Sequence, residues 1–459
     1  MEIIATPCGA IQGTNCDLPG VRAYKGIRFA TAGRWEYPKK VTAWEGVYDA
    51  TQYGHCCYQP RTYFDEAENP NEVFYYNEFR KGDHYTYSED CLFLNVFTPE
   101  DAAQDAKLPV IVYIHGGGFS GGCAHEKTFD GPVWATKGVV AVTIQYRLGA
   151  LGFACLPELT QEAGHCGNYG LYDQMVALEW IQDNIAAFGG DPSNVTIMGQ
   201  SAGAMSVQAL CLSPLTDGLF HKAVMCSGGG VSPMMNNTET AEMRYSVWQK
   251  VMEQAGCADL AAFRALDPEK LYRVWDEVQK NNKGVGMANG PCVDGVFVVE
   301  DNLSAAQHGR QKDIPCLIGS TSEDMVPLFM YEISHDWCVM QAEQHRKPAY
   351  CWFFDRQLPG DDKGAWHSSD LWYWFGTLDK CWRPFTDKDR ALSEQMSNYL
   401  IQFARTGDPN GEGLPRWEPT NRKEEPVLRL GEGETRMDQA PKEQLMKAMQ
   451  AMMKGHTMG

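Results

Sequence analysis

The chain has 459 residues, 44% hydrophobic and 22% charged, ample for a large buried core. Asp and Glu outnumber Lys and Arg by 59 to 40, giving a formal charge of −19, which excludes nucleic acid and anionic membrane surfaces as natural partners. No continuous apolar run reaches the length of about 18 residues that a spanning helix needs.

The start, Met1 to Thr6, lacks a basic segment followed by an apolar run, so a cytoplasmic protein is expected. The 16 cysteines are scattered, with no paired Cys-x-x-Cys ladder and no Cys/His metal spacing. In a reducing compartment they read as small buried apolar residues rather than a disulfide framework. No metal or other cofactor is expected. Neither a low-complexity linker nor an internal repeat divides the chain, which predicts one domain over 1–459.

Leu108 to His115 reads as a buried strand running into the glycine-rich turn Gly116-Gly117-Gly118-Phe119. Three glycines let backbone amides face outward, where they can stabilise the charge that develops on an attacked carbonyl oxygen, by about 3 kcal/mol per donor. Val139 to Tyr146 is a second strand, Leu171 to Phe188 has helical spacing, and Val195 to Gly199 is a third strand. Near-continuous apolar strands separated by a helix imply a parallel sheet covered on both faces.

Gly199-Gln200-Ser201-Ala202-Gly203 follows that third strand and opens a helical stretch. A serine on such a strand-to-helix turn projects its Oγ from the sheet, with the N–H of Ala202 aimed at the same point. Ser201 is the candidate nucleophile, and Gly117, Gly118 and Ala202 are the candidate oxyanion donors. Further strands follow at Lys222 to Cys226, Ile314 to Gly319 and Ala349 to Phe354.

A serine hydroxyl needs a base oriented by an acid. After Gly319 stand Glu323 and Asp324, and after Phe354 stands His367, so the order serine, acid, histidine is satisfied. His367 is the candidate base. The aromatic tract Trp366, Trp372, Tyr373, Trp374 and Phe375 is expected to divide between core and pocket wall. Residues 283–290 are a candidate for the opposite wall.

The chain resembles the type-B carboxylesterases of the carboxylesterase, lipase and cholinesterase family. The resemblance rests on Ser88 to Val96, His115 to Phe119, Tyr146 to Gly149, Gly167 to Gln174, Phe188 to Pro192, the serine elbow, Val293 to Gly295 and Phe403 to Asn410. It implies an α/β-hydrolase fold, a mostly parallel twisted central sheet flanked by helices. It also implies hydrolysis of small-molecule carboxylic esters through an acyl-enzyme, by a monomer or small homo-oligomer. The family's acid usually stands five positions after the strand-end glycine. Counting from Gly319 selects Asp324, leaving Glu323 beside it as a supporting residue, and Ser227 matches a serine that supports the triad.

Glu89 and Asp90 with Arg34 and Arg147, and Asp173, resemble the family's buried ion pairs. Cys57 and Cys91 fall where secreted relatives form a disulfide and are expected here as free thiols. Asp324 and His367 are only 43 residues apart, which implies a shortened cover over the site at 325–366. Short to medium soluble esters are the expected substrates. The alternatives are polysaccharide-linked acyl groups, lipids, or a non-catalytic adhesion or scaffold role, the last opposed by the presence of both Ser201 and His367.

Overall fold

The computed structural model describes all residues except 1–2, 130, 233–237, 283–288, 423–425, 440, 444, 448 and 451–459. Its centre is one sheet of eleven strands. In chain order these are β1 (Thr14–Asn15), β2 (Val21–Arg28), β3 (Phe93–Pro99), β4 (Leu108–Ile114), β5 (Val140–Ile144), β6 (Gly190–Gln200), β7 (Lys222–Cys226), β8 (Cys316–Thr321), β9 (Ala349–Phe354), β10 (Val427–Leu430) and β11 (Arg436–Asp438). In space they run β11-β10-β9-β8-β7-β6-β4-β5-β3-β2-β1. The seven strands from β10 to β5 are mutually parallel, and antiparallel strands close both edges.

The continuous apolar runs exist because both faces of the sheet are covered. Along β4, Val110, Val112 and Ile114 enter one core while Ile111 and Tyr113 enter the other, as the two-residue period of a strand requires. Helices α1 (Tyr169–Asn184), α2 (Ala202–Leu212), α3 (Ala241–Gln254) and α4 (Pro268–Asn281) bury side chains in the first core. The second receives α6 (Leu371–Phe375) and α7 (Asp387–Thr406).

The aromatic tract departs from expectation. Trp366, Trp372, Tyr373, Trp374 and Phe375 are all buried in this second core, with Phe375 stacked on Trp134 at 4.0 Å between ring centroids. Their area is used for packing, and the pocket wall must come from elsewhere. The 325–366 segment is filled by α5 (Pro327–Glu343), which crosses between β8 and β9, followed by β9 itself and a loop.

Ion pairs fix the loops around the sheet. Arg34 pairs with Glu89 and Arg147 with Asp173, the latter by bonds of 2.7 and 2.8 Å. Asp90 bonds Arg28 instead of Arg34 or Arg147, because it sits at the surface end of the loop, 56% exposed. Cys57 and Cys91 are free and buried. Cys56 and Cys123 are joined in a disulfide, a correction to the expectation that the cysteines stay unpaired. Among the described residues no helix is long and apolar enough to cross a membrane.

Arg147 and Asp173 have side chains 4% and 0% exposed. Asp173→Ala therefore strands a buried guanidinium and should cost about 3–5 kcal/mol of stability. Denaturant unfolding of the purified variant tests this, and a midpoint equal to wild type would contradict it.

Candidate active site

The site lies at the carboxyl ends of adjacent parallel strands, where an open α/β sheet leaves reacting groups exposed. Strand β6 ends at Gln200 and α2 starts at Ala202, so Ser201 alone must turn the chain. Its φ of 56° and ψ of −124° are strained for a residue with a Cβ. Close approach explains the glycine at 203, where an added Cβ would meet the Ile114 carbonyl at 2.1 Å. The elbow is held by the Ser201 N–H donating to Cys226 O on β7 at 2.9 Å.

The turn after β4 passes the same point. Gly117 has φ 107°, and a Cβ there would strike Gly121 O at 2.2 Å. Gly117 and Gly118 are both exposed. Ala202 is the first residue of α2, and first-turn amides have no intrahelical acceptor. Residues 283–288 of the candidate wall lie outside the described residues. The neighbouring Asn289 Nδ2 donates to Gly118 O at 2.8 Å, tying that wall to the glycine turn.

Asp324 follows β8 and His367 lies in the loop after β9. His367 Nδ1 meets Asp324 Oδ1 at 2.6 Å, with the carboxylate wholly buried. Burial pushes the Asp324 pKa up, but the charge and hydrogen bond of His367 outweigh it. Nearby donors add to that pull and hold the carboxyl at about 2. These include Met325 N–H at 2.8 Å, while the Thr321 hydroxyl also donates at 3.0 Å. Ser227 is buried beside the same carboxylate and also lowers it, although its hydroxyl lies outside ordinary hydrogen-bonding geometry.

Glu323 points the other way. It is exposed, accepts the Ser322 hydroxyl, and takes the Ala365 N–H at 2.8 Å. It thereby anchors the loop that carries His367, and it makes no hydrogen bond to the imidazole among the described residues.

Two residues at the site went unread in the sequence. Gln200, between the first glycine and the serine, is buried with its Nε2 3.1 Å from His367 Nε2. An amide nitrogen only donates, so the histidine Nε2 accepts and the ring proton sits on Nδ1 facing Asp324. That is the tautomer of a general base, held from both sides. The second is Asp370, fully buried at the start of α6. Burial first, and then the charge of Asp324, push its carboxyl up to about 7.

Burial lowers the His367 pKa, but Asp324 and then Asp370 more than reverse this, leaving it raised. Only the neutral ring has a lone pair on Nε2 to accept a proton, and the expected outcome is that kcat/KM falls as pH drops through a value above the ordinary histidine 6.5. Gln200→Glu would place an anionic acceptor on Nε2 and favour the imidazolium. The acid limb of the pH profile should then rise by about one unit. A limb that does not move would mean that Gln200 only packs.

A profile of the carboxylesterase family matches residues 1–338 and 327–449. The para-nitrobenzyl esterase of Bacillus subtilis is 31% identical over 473 residues, covering 90% of this chain and 91% of that protein. Bovine carboxylesterase 4A is 31% identical over 513 residues, covering 93% and 88%. A solved PNB esterase superposes with a TM-score of 0.83 at 28% identity, covering 98% of this chain and 99% of that one. An esterase from Clostridium hathewayi, described as able to hydrolyse aliphatic aromatic polyesters, also reaches 0.83, at 26% identity and 98% of both chains. With nearly its whole length matched, and with a buried acid and histidine at the strand ends beside a strained serine elbow, this chain belongs to the carboxylesterase family.

Proposed function

We propose that this carboxylic ester hydrolase works through Ser201, with His367 as its base and Asp324 as the acid, on short to medium soluble esters. The observation that carries the reading is the buried 2.6 Å contact between His367 Nδ1 and Asp324, at the ends of strands on the same side of the sheet as the serine elbow. His367 Nε2 takes the Ser201 proton as Oγ attacks the carbonyl carbon, and Gly117, Gly118 and Ala202 amides stabilise the oxyanion. The alcohol leaves with the proton from His367. Water then repeats the steps on the acyl-enzyme. During attack Ser201 displaces Gln200 from Nε2, since one lone pair cannot serve both.

Met205, Gln208, Gly229, Gly230, Leu303 and Ile333 line a small depression one turn along α2 from Ser201. The fourteen free cysteines favour a reducing compartment and support cytoplasmic residence.

Ser201→Ala and His367→Ala should each lower kcat by roughly 10⁴ to 10⁶ on folded protein. Asp324→Asn should lose about 10⁴, whereas Glu323→Gln should stay within tenfold of wild type. Steady-state rates on p-nitrophenyl acetate decide the matter, and the reverse ranking of the two carboxylates would reassign the acid. Across p-nitrophenyl esters, kcat/KM should decline beyond medium acyl chains. A jump in rate as a long-chain ester passes its micelle concentration would point to a lipase instead.

A further inference from the structure

Cys56, Cys123 and His125 come together behind the glycine-rich turn. One ligand atom from each lies within 4.8 Å of the others. His125 Nδ1 is 3.3 Å from Cys123 Sγ, and its Nε2 is 4.0 Å from Cys56 Sγ. The two sulfurs are buried and joined, while His125 is half-buried. We propose that this cluster is a redox-gated site for a soft divalent cation of the zinc class, closed as a disulfide when oxidised and open to metal when reduced.

The donor set is chemically apt. Zinc binds thiolate at about 2.3 Å and imidazole nitrogen at about 2.0–2.1 Å, so sulfur and nitrogen on one tetrahedron stand roughly 3.5 Å apart. The imidazole already sits at that spacing from Cys123. Its ring is stacked on Tyr53 with centroids 4.3 Å apart and planes 4° from parallel, which fixes its plane. Gln145 holds the sulfur from the other side. Its Nε2 donates to Cys123 Sγ at 3.2 Å and its Oε1 accepts the Ala124 N–H at 3.2 Å, the kind of supporting contact that tunes a thiolate ligand.

A dithiol or phosphine reductant supplies two electrons, and with two protons the S–S bond becomes two thiols. The sulfurs can then separate to the roughly 3.8 Å of two ligands on one zinc. Binding a divalent cation displaces both thiol protons. Two thiolates and one divalent cation are together neutral, which suits a site where both sulfurs are buried, whereas two bare thiolates would be strongly disfavoured. Among the described residues no fourth side chain joins the group, so the fourth corner falls to water on the half-buried side of His125.

The test uses the full chain. The protein is reduced with a phosphine, stripped with chelator, freed of both reagents without oxygen, and titrated with cobalt(II). We expect one equivalent to bind, with thiolate-to-cobalt charge-transfer absorption and tetrahedral visible bands that the unreduced protein lacks. His125→Ala should weaken cobalt binding at least about tenfold, and Gln145→Leu about tenfold. In wild type, zinc should protect Cys56 and Cys123 from alkylation after reduction, as read by peptide mapping, which needs no variant to fold. The proposal is overturned if the reduced chain gives no cobalt spectrum, if the spectrum survives in the Cys56→Ser, Cys123→Ser double variant, or if zinc leaves both thiols equally reactive.

Discussion

A charged carboxylate is buried at the end of β8, and the fold around it is arranged to keep it charged. Burial alone would neutralise Asp324. The His367 ring opposes this first, helped by the Met325 amide and the Thr321 hydroxyl. Those donors can converge only because β6, β7, β8 and β9 are neighbours in the sheet and point the same way. Ser201, Ser227, Asp324 and His367 follow the ends of these four strands in turn. A topology that separated any two of them would leave the carboxylate without its partner, and a lone buried charge would cost several kcal/mol.

Strands β7 and β9 were legible to the residue, because each is an apolar run bounded by polar turns. Strand β6 begins at Gly190, five residues before its apolar stretch: Gly190 pairs with Leu108, and the register then shifts before Val195 meets Val110, so no hydrophobic signature marks its start. The position of Asp324 could be read by counting from Gly319, for a strand end sets side-chain direction. Gln200 could not, because within the elbow motif its position accepts any residue type and only the fold brings it to His367. The Cys56, Cys123 and His125 cluster was hidden for a different reason. Its sulfurs are 67 residues apart in sequence, so no local spacing announces them.

The segment between acid and histidine shows what a short connection does. Helix α5 and strand β9 make one parallel crossover within it, and the rest is connecting loop. Met325 and Val326, directly after the acid, are 60% and 40% exposed, an arrangement a longer cover would bury. The two segments matched by the family profile also meet within this stretch, at 327–338.

Asp370 adds a second buried carboxyl to the same neighbourhood. Trp374 Nε1 donates to one oxygen at 3.1 Å, and among the described residues the other has no side-chain hydrogen-bond partner. With its carboxyl at about 7, it is mostly protonated below neutrality and mostly ionised above. The ionised form favours the His367 imidazolium. Below neutrality its neutral form withdraws that support, which makes the ring easier to deprotonate. Above neutrality the added negative charge favours the protonated ring. The two carboxyls thus divide the electrostatic work: Asp324, charged throughout, sets the ring's orientation, while Asp370 adjusts how firmly the ring holds its second proton.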